Sequence, residues 1–250
     1  MTYYILALVG IAALIAPVIF IIATRLGNYK TFPILIAFYT PIIFYSLIAE
    51  GIISVSPEIK NAVGVSLNIM EIPLMLLFVT YFSPSQKFTK RLIWIVGVYI
   101  LFEVGIIIAT GITVKTINFI LLPGLLITFF MTAFLFSKFL KTAVVHGRRV
   151  GKAILTASIM FNTGVYIILY LIIYGLNATD PISLFILYYL GAIITSITLC
   201  TGIVHERRHI VKLQEALKVR KELAEVYKNT DRSIVFRNAP MLDFDRELWN

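Results

Sequence analysis

Seven long apolar runs dominate this chain of 250 residues. A transmembrane α-helix needs about 20 predominantly apolar residues to cross the hydrocarbon core of a bilayer. Segments of that kind lie at residues 3–24, 32–53, 63–82, 92–111, 116–137, 152–174 and 182–203. Hydrophobic residues make up 59% of the chain and charged residues 14%, a balance far from that of soluble domains. The sequence therefore predicts an all-α fold, a polytopic integral membrane bundle of seven transmembrane helices.

The lysines and arginines between the spans predict the orientation of the bundle. Short loops that stay in the cytoplasm carry an excess of these residues. The segments after spans 1, 3 and 5 hold most of them, namely Arg25, Lys30, Lys87, Lys90, Arg91, Lys138, Lys141, Arg148, Arg149 and Lys152. The opposite segments hold only Lys60 and Lys115. We therefore expect the N-terminus outside and the C-terminus in the cytoplasm, in the plasma membrane of a bacterium or archaeon.

The chain changes character after span 7. Residues 204–228 mix charges of both signs, and Ile203, Ile210 and Leu217 follow heptad spacing, as in an amphipathic helix. We therefore divide the chain into a bundle (1–203), a cytoplasmic helix that continues span 7 (204–228) and a C-terminal tail (229–250). The tail is either a short docking segment or a disordered end.

The cytoplasmic helix and the net charge suggest partners. An amphipathic helix of this kind packs on a cytoplasmic protein, on a second copy of the chain or on the membrane surface, and we expect one of the two protein partners in addition to the lipid bilayer. The net charge of +9 belongs mostly to the loops that fix the orientation. Since there is no phosphate-binding glycine loop and no basic groove interleaved with aromatic residues, we predict no nucleic-acid partner.

Three glutamates lie inside apolar spans. Glu50, Glu71 and Glu103 belong to spans 2, 3 and 4, and the predicted orientation puts all three in the outer half of the membrane. A carboxylate at membrane depth costs several kcal/mol unless it is paired, protonated or hydrated. No basic residue lies at the depth of these glutamates, so their partners must be protons, cations, tyrosine hydroxyls or water.

Other polar residues share helix faces with the glutamates. Side chains spaced by three or four residues lie on one face of a helix. The combined pattern predicts an outward-leaning polar pocket lined by Glu50, Asn68, Glu71, Tyr99, Glu103, Asn162, Tyr166, Tyr170, Tyr174 and Tyr188. Tyr189 takes the place of Tyr188 if span 7 is rotated. The alternative for each of these residues is an interhelical hydrogen bond or a place in the aromatic belt of the membrane interface.

One catalytic motif occurs at the inner end of span 7. His205-Glu206-Arg207-Arg208-His209 matches H-E-x-x-H, in which two histidines bind zinc and the glutamate is the general base of a peptidase. The two arginines would place positive charge beside the metal, and no third ligand is evident. We interpret the match as chance and predict no catalytic residues. The alternative is a zinc site formed by His205 and His209 with Glu206 as the base.

The topology resembles that of microbial rhodopsins and G-protein-coupled receptors. Span 7 has no lysine to form a retinal Schiff base, so a covalent retinal pigment is excluded and no cofactor is predicted. The spans also lack the histidines that membrane zinc hydrolases need.

Two hypotheses about function are favoured over the others. The first is a sensor that binds a small ligand, a lipid or a proton in the outer pocket and signals through its cytoplasmic helix to a separate protein. This arrangement resembles the polytopic input modules of bacterial sensor kinases. The second is a small proton- or cation-coupled transporter or channel that uses the intramembrane glutamates. A membrane zinc peptidase and a structural subunit of a membrane complex are further alternatives.

Overall fold

The computed structural model describes residues 2–175 and 181–226, and these ranges contain seven long helices. The helices are α1 (Thr2–Ala23), α2 (Phe32–Ala49), α3 (Pro57–Val79), α4 (Gln86–Thr110), α5 (Val114–His146), α6 (Val150–Tyr170) and α7 (Pro181–Val226). A 3-10 turn, Thr80–Phe82, extends α3, and a π-helical turn, Leu171–Gly175, extends α6. All seven helices are long and apolar enough to cross a membrane, as expected of an integral membrane protein.

The ends of several helices differ from the predicted spans because capping residues, not apolar windows, determine them. Helix α3 begins six residues before the apolar run, where the Ser56 hydroxyl accepts a hydrogen bond from the Ile59 amide at 3.4 Å. Helix α5 continues nine residues past its apolar run to Gly147, whose φ of 62° ends it. Charged and polar residues interrupt the apolar ones in these extra turns, so a search for continuous apolar runs does not detect them.

The outer surface of the bundle is apolar. Trp94 is 75% exposed and Ile108 is 80% exposed, and both lie on α4. Contiguous apolar surface of this kind is rare on soluble monomers and normal for helices that face lipid. Burial inside the bundle is concentrated where small residues let helices approach each other, for example where Gly202 of α7 meets Leu155 of α6.

Six helices form a closed ring, and one lies outside it. Helix α1 packs on α2, α2 on α3, α3 on α5, α5 on α6, α6 on α7, and α7 on α1. Helix α4 packs on the outside of this ring, mainly against α3 and α5. The ring therefore encloses the interior of the bundle without a contribution from the helix that carries Glu103.

Helix α7 runs without interruption from Pro181 to Val226, well beyond the predicted span. Its segment after Ile210 is mostly exposed, and Val219 and Leu223 are about half exposed. The division of the chain at residues 203 and 228 remains a prediction. The predicted tail, 229–250, and the last two residues of the predicted cytoplasmic helix lie outside the described residues.

Candidate functional site

A cavity of about 320 Å³ lies between α2, α3, α6 and α7. We call it the Glu71 pocket, and we call the end of the bundle where α2 ends and α7 begins the Glu50 end. The polar side chains that line the pocket are Tyr45, Ser46, Asn68, Glu71, Tyr166, Tyr188 and Tyr189. The rest of the wall is apolar and includes Leu67, Leu169 and Leu184. This combination of a mainly apolar wall and a few polar groups is typical of small-molecule sites.

Glu71 is the only charged residue on the described wall of this pocket. Its side chain is 9% exposed, and no donor among the described residues gives its carboxyl group a hydrogen bond. Nearby Asn68 donates its amide to the Gly64 carbonyl of its own helix at 2.9 Å. A buried carboxyl group without a donor must hold a proton or attract a cation. The Glu71 carboxyl group therefore favours a proton or a cation in the pocket.

The tyrosines of α7 connect the pocket wall to α2. The Tyr189 hydroxyl donates a hydrogen bond to the Glu50 carboxylate at 2.5 Å, and Glu50 is the residue at which α2 ends. The Tyr188 hydroxyl lies beside those of Ser46 and Tyr166. These phenols therefore have polar neighbours other than Glu71.

Two glycines let aromatic rings reach their positions at the Glu50 end. The Tyr189 ring packs directly on Gly10 of α1, and a Cβ at Gly64 would lie 3.1 Å from the Tyr45 ring. A larger residue at position 10 would force the Tyr189 ring to move, whereas one at position 64 would press on the Tyr45 ring and shift it slightly. The close approach of α1 to α7 and of α2 to α3 thus determines the shape of the pocket.

Two of the predicted pocket residues lie elsewhere because α4 is outside the ring. Tyr99 and Glu103 are both buried, and they face α3 and α5 rather than the Glu71 pocket. The Tyr99 hydroxyl donates to the Ile120 carbonyl at 3.1 Å, and the Glu103 carboxyl lies beside that hydroxyl. Glu71 and Glu103 therefore occupy different environments.

The four predicted pocket residues on α6 follow one another at steps of four and turn away from the interior along the helix, namely Asn162, Tyr166, Tyr170 and Tyr174. Asn162 lines a small space of about 10 Å³ deeper in the ring, and Tyr166 lines both this space and the Glu71 pocket. Tyr170 and Tyr174 do not line the Glu71 pocket, and their rings pack on each other with centroids 4.8 Å apart. Each step of four residues rotates a side chain by about 40° around the helix, so the last two of the four side chains lie away from the pocket.

Of the ten predicted residues, the structure brings four to the pocket wall and one directly behind it. Asn68, Glu71, Tyr166 and Tyr188 line the pocket, and Glu50 contacts Tyr189 behind its wall. The prediction omitted Tyr45, and it had Tyr189 only as an alternative. The spacing of Ile42, Tyr45, Ser46 and Ala49 is i, i+3, i+4, i+7, which is the signal for a shared face.

The interior below the pocket becomes apolar towards the opposite end. The Ser158 hydroxyl donates to the Thr195 carbonyl at 2.9 Å, and Thr198 donates to Ser158 at 3.0 Å. Beyond these residues, Leu155 and Ile203 are fully buried and fill the contact between α6 and α7. Buried aromatic side chains fill the neighbouring part of the helix ring, namely Phe32, Phe78, Phe82 and Phe139.

A second polar cluster lies at the opposite end, which we call the Glu206 end. Glu206 of α7 is 1% exposed, and the Tyr81 hydroxyl, from the 3-10 turn after α3, donates a hydrogen bond to its carboxylate. Lys152 Nζ lies 5.3 Å and Lys30 Nζ 5.9 Å from the centroid of the Tyr81 ring. Burial raises the pKa of the Tyr29 hydroxyl, and the nearby Glu206 carboxylate raises it further. These five residues form the Glu206 cluster.

The Glu206 cluster was not predicted, because the sequence presents Glu206 as part of a zinc motif. Glu206 follows Ile203 by three residues and precedes Ile210 by four, and both isoleucines are buried. Its place on the buried face of the heptad pattern is the signal that could have identified it. His205, in contrast, is exposed. Among the described residues, no three His, Cys, Asp or Glu side chains gather closely enough to hold a metal ion.

We expect the purified full chain to contain less than one zinc ion per molecule. Because His205 is exposed and Glu206 faces Tyr81, His205→Ala should change the free energy of unfolding by less than about 0.5 kcal/mol. Elemental analysis of protein purified without chelators, together with thermal unfolding of the variant, measures both quantities. One zinc per chain that is lost in the variant would restore the zinc-site interpretation.

Helix α7 contributes to both clusters, with Tyr188 and Tyr189 at the pocket and Glu206 at the other end. The pocket offers a buried carboxyl group among phenol rings, which suits ligand binding more than covalent chemistry.

Comparisons with protein families, with curated proteins and with solved structures give no match to this chain.

Proposed function

We propose that this protein is a membrane sensor that binds a small ligand in the Glu71 pocket and passes the effect along α7 to a separate protein. The observation that supports this proposal best is the continuity of α7. One helix lines the pocket with Tyr188 and Tyr189, holds Glu206 at the opposite end, and continues to Val226. A rigid helix that contacts both ends converts a change at the pocket into a displacement at the other end.

The orientation of the proposed sensor follows from its basic loops. The Glu206 end carries the basic residues Arg25 and Arg148 in its loops and Lys87 and Arg91 in the first turns of α4, and short segments of this composition stay in the cytoplasm. We therefore place the Glu71 pocket towards the outside and the exposed segment of α7 in the cytoplasm of a bacterial or archaeal cell. Val219 and Leu223 on that segment offer an apolar surface for a cytoplasmic protein partner or a second copy of the chain.

The alternative proposal, a proton- or cation-coupled transporter, has less support. Transport would need a polar path that continues from the pocket to the Glu206 end. Below Ser158 the described interior is filled mainly by Leu155, Ile203 and aromatic side chains, and the buried Thr156 hydroxyl there bonds to carbonyls of its own helix. This apolar barrier favours a ligand that binds and leaves on the same side.

Filling the pocket with a side chain should imitate a bound ligand. Ala49 lines the pocket, so Ala49→Trp should shift α7 relative to α5 by about 1–2 Å at the Glu206 end. Spin labels at the exposed positions Val145 and Lys218, in a Cys200→Ala background, report this distance by double electron–electron resonance. The chain is reconstituted in lipid nanodiscs for the measurement.

The matched control for this experiment is Ala109→Trp. Ala109 is exposed on α4, outside the ring, so the same change there should leave the distance distribution unaltered. Identical distributions for Ala49→Trp and the parent protein, with both folded to the same thermal midpoint, would count against transmission along α7.

A further inference from the structure

The charge of the Glu71 pocket limits the ligands it accepts. Glu71 lies on its wall, 9% exposed and without a hydrogen-bond donor among the described residues. No lysine, arginine or histidine contributes to the described wall. Lys60 lies at the same end of the bundle, where its ammonium donates to the Ala49 carbonyl at 3.3 Å, but it does not line the pocket. An anionic ligand would meet an uncompensated carboxyl group, whereas a cation would satisfy it.

The aromatic residues of the pocket favour the same sign of charge. Tyr45, Tyr166, Tyr188 and Tyr189 line the same cavity as Glu71. The ring centroids of Tyr166 and Tyr188 are 6.2 Å apart, and those of Tyr188 and Tyr189 are 5.2 Å apart. A cation placed within about 6 Å of a phenol ring is attracted by its electron-rich face, and several such rings together form a cage for ammonium groups.

The remaining wall distinguishes an organic cation from a metal ion. Calcium needs six to eight oxygen ligands, and magnesium keeps most of its water. Besides the Glu71 carboxyl group, the described wall offers only neutral polar groups, from Ser46, Asn68 and four tyrosines. Several of these already bond to each other, to Glu50 or to the Gly64 carbonyl, so the pocket does not replace the hydration shell of either ion. Its volume of about 320 Å³ is at the lower end of the range for small-molecule sites.

We infer that the Glu71 pocket binds an organic ammonium ion, an amine or quaternary ammonium group attached to a compact apolar body. The charged group lies against Glu71 and the tyrosine rings, and the apolar body contacts the leucines of α3, α6 and α7. This inference rests on the proposed function, because it names the ligand class of the proposed sensor.

Three matched probes test the ligand class on the full chain in nanodiscs. They are benzyltrimethylammonium, its uncharged isostere neopentylbenzene, and the anion benzenesulfonate. We expect the cation to bind at least about tenfold more tightly than the isostere, and the anion not to bind. Isothermal titration calorimetry and saturation-transfer NMR give the dissociation constants, with empty nanodiscs to subtract partitioning into lipid.

Two variants locate the binding energy. Glu71→Gln keeps the shape of the side chain and removes its charge, so the cation should lose about tenfold in affinity and its advantage over the isostere should disappear. Glu103→Gln changes an equally buried carboxyl group on α4, outside the pocket, and should leave cation affinity unchanged. The selectivity in the parent protein tests the inference even if Glu71→Gln fails to fold.

The outcomes separate the ligand class from the proposed function. Equal affinity for the cation and its isostere, or no detectable binding of the cation, would overturn the organic-ammonium inference. The spin-label distance between positions 145 and 218, measured with and without bound probe, provides the second result. Selective binding of the cation without any change in that distance would leave the ligand class standing and would overturn the proposed sensing function.

Discussion

Gly151→Val should destabilise the folded bundle by about 2–3 kcal/mol. A Cβ at position 151 would lie 2.6 Å from the backbone nitrogen of Glu206 and 2.8 Å from its Cα. Because these are backbone atoms of α7, no side-chain rotation relieves the clash, and α6 and α7 must separate. Overpacking of a close contact costs roughly 1–3 kcal/mol, and here it also disturbs a buried hydrogen-bonded carboxylate.

The measurement is thermal unfolding of the purified chain in detergent micelles, with Gly97→Val as the matched control. Gly97 is an exposed residue inside α4, and a Cβ there would meet nothing within 4 Å. The control should change the free energy of unfolding by less than about 1 kcal/mol, since only helix propensity is affected. Equal midpoints for the two valine variants would show that the contact between Gly151 and Glu206 is not tightly packed.

Tyr81→Phe should destabilise the protein by about 1–3 kcal/mol. The substitution removes the hydroxyl that donates to Glu206 and leaves a carboxylate that is 1% exposed without that donor. The cost of an unsatisfied buried group exceeds the net value of the hydrogen bond itself. The same substitution at Tyr174, which is 44% exposed, should cost less than about 0.5 kcal/mol.

A double-mutant cycle isolates the link between the two side chains. Glu206→Met alone removes the anion, and together with Tyr81→Phe it replaces both partners with apolar groups. Replacing both partners of a buried hydrogen bond is often nearly neutral, so the double variant should be more stable than the sum of the single effects predicts. Additive effects in chemical or thermal unfolding would mean that Tyr81 and Glu206 stabilise the protein independently.

The helical class and the number of apolar segments could be predicted because a helix needs about 20 apolar residues to cross a bilayer, and the sequence contains seven runs of about that length. The ends of α3 and α5 could not, because Ser56 and Gly147 determine them through capping and backbone conformation. A search for apolar runs detects only the segments that cross the hydrocarbon core. The turns that extend these helices interrupt apolar residues with charged ones, so they do not register as part of an apolar run.

Which residues of one helix share a face could be predicted from the sequence, but which helices pack together around the candidate site could not. Spacing along α3 and α6 grouped Asn68 with Glu71 and Asn162 with Tyr166, and each pair lines one cavity because helical geometry is local. Whether α4 belongs to the ring depends on which helices pack together, and the sequence offers no pattern for that choice. Glu103 was therefore grouped with Glu71, although α4 places it outside the pocket.

The length of α7 has a mechanical consequence. At a rise of 1.5 Å per residue, its 46 residues extend about 69 Å, more than twice the thickness of a hydrocarbon core. If Glu206 acts as a pivot, the arm that continues from Arg207 to Val226 is about 30 Å long. A tilt of about 5° at the pocket then moves the far end by about 2.6 Å. Because Tyr188 lies about 27 Å on the other side of that pivot, the two arms are nearly equal in length, and the helix carries a ligand-sized adjustment at the pocket to its far end at about the same size.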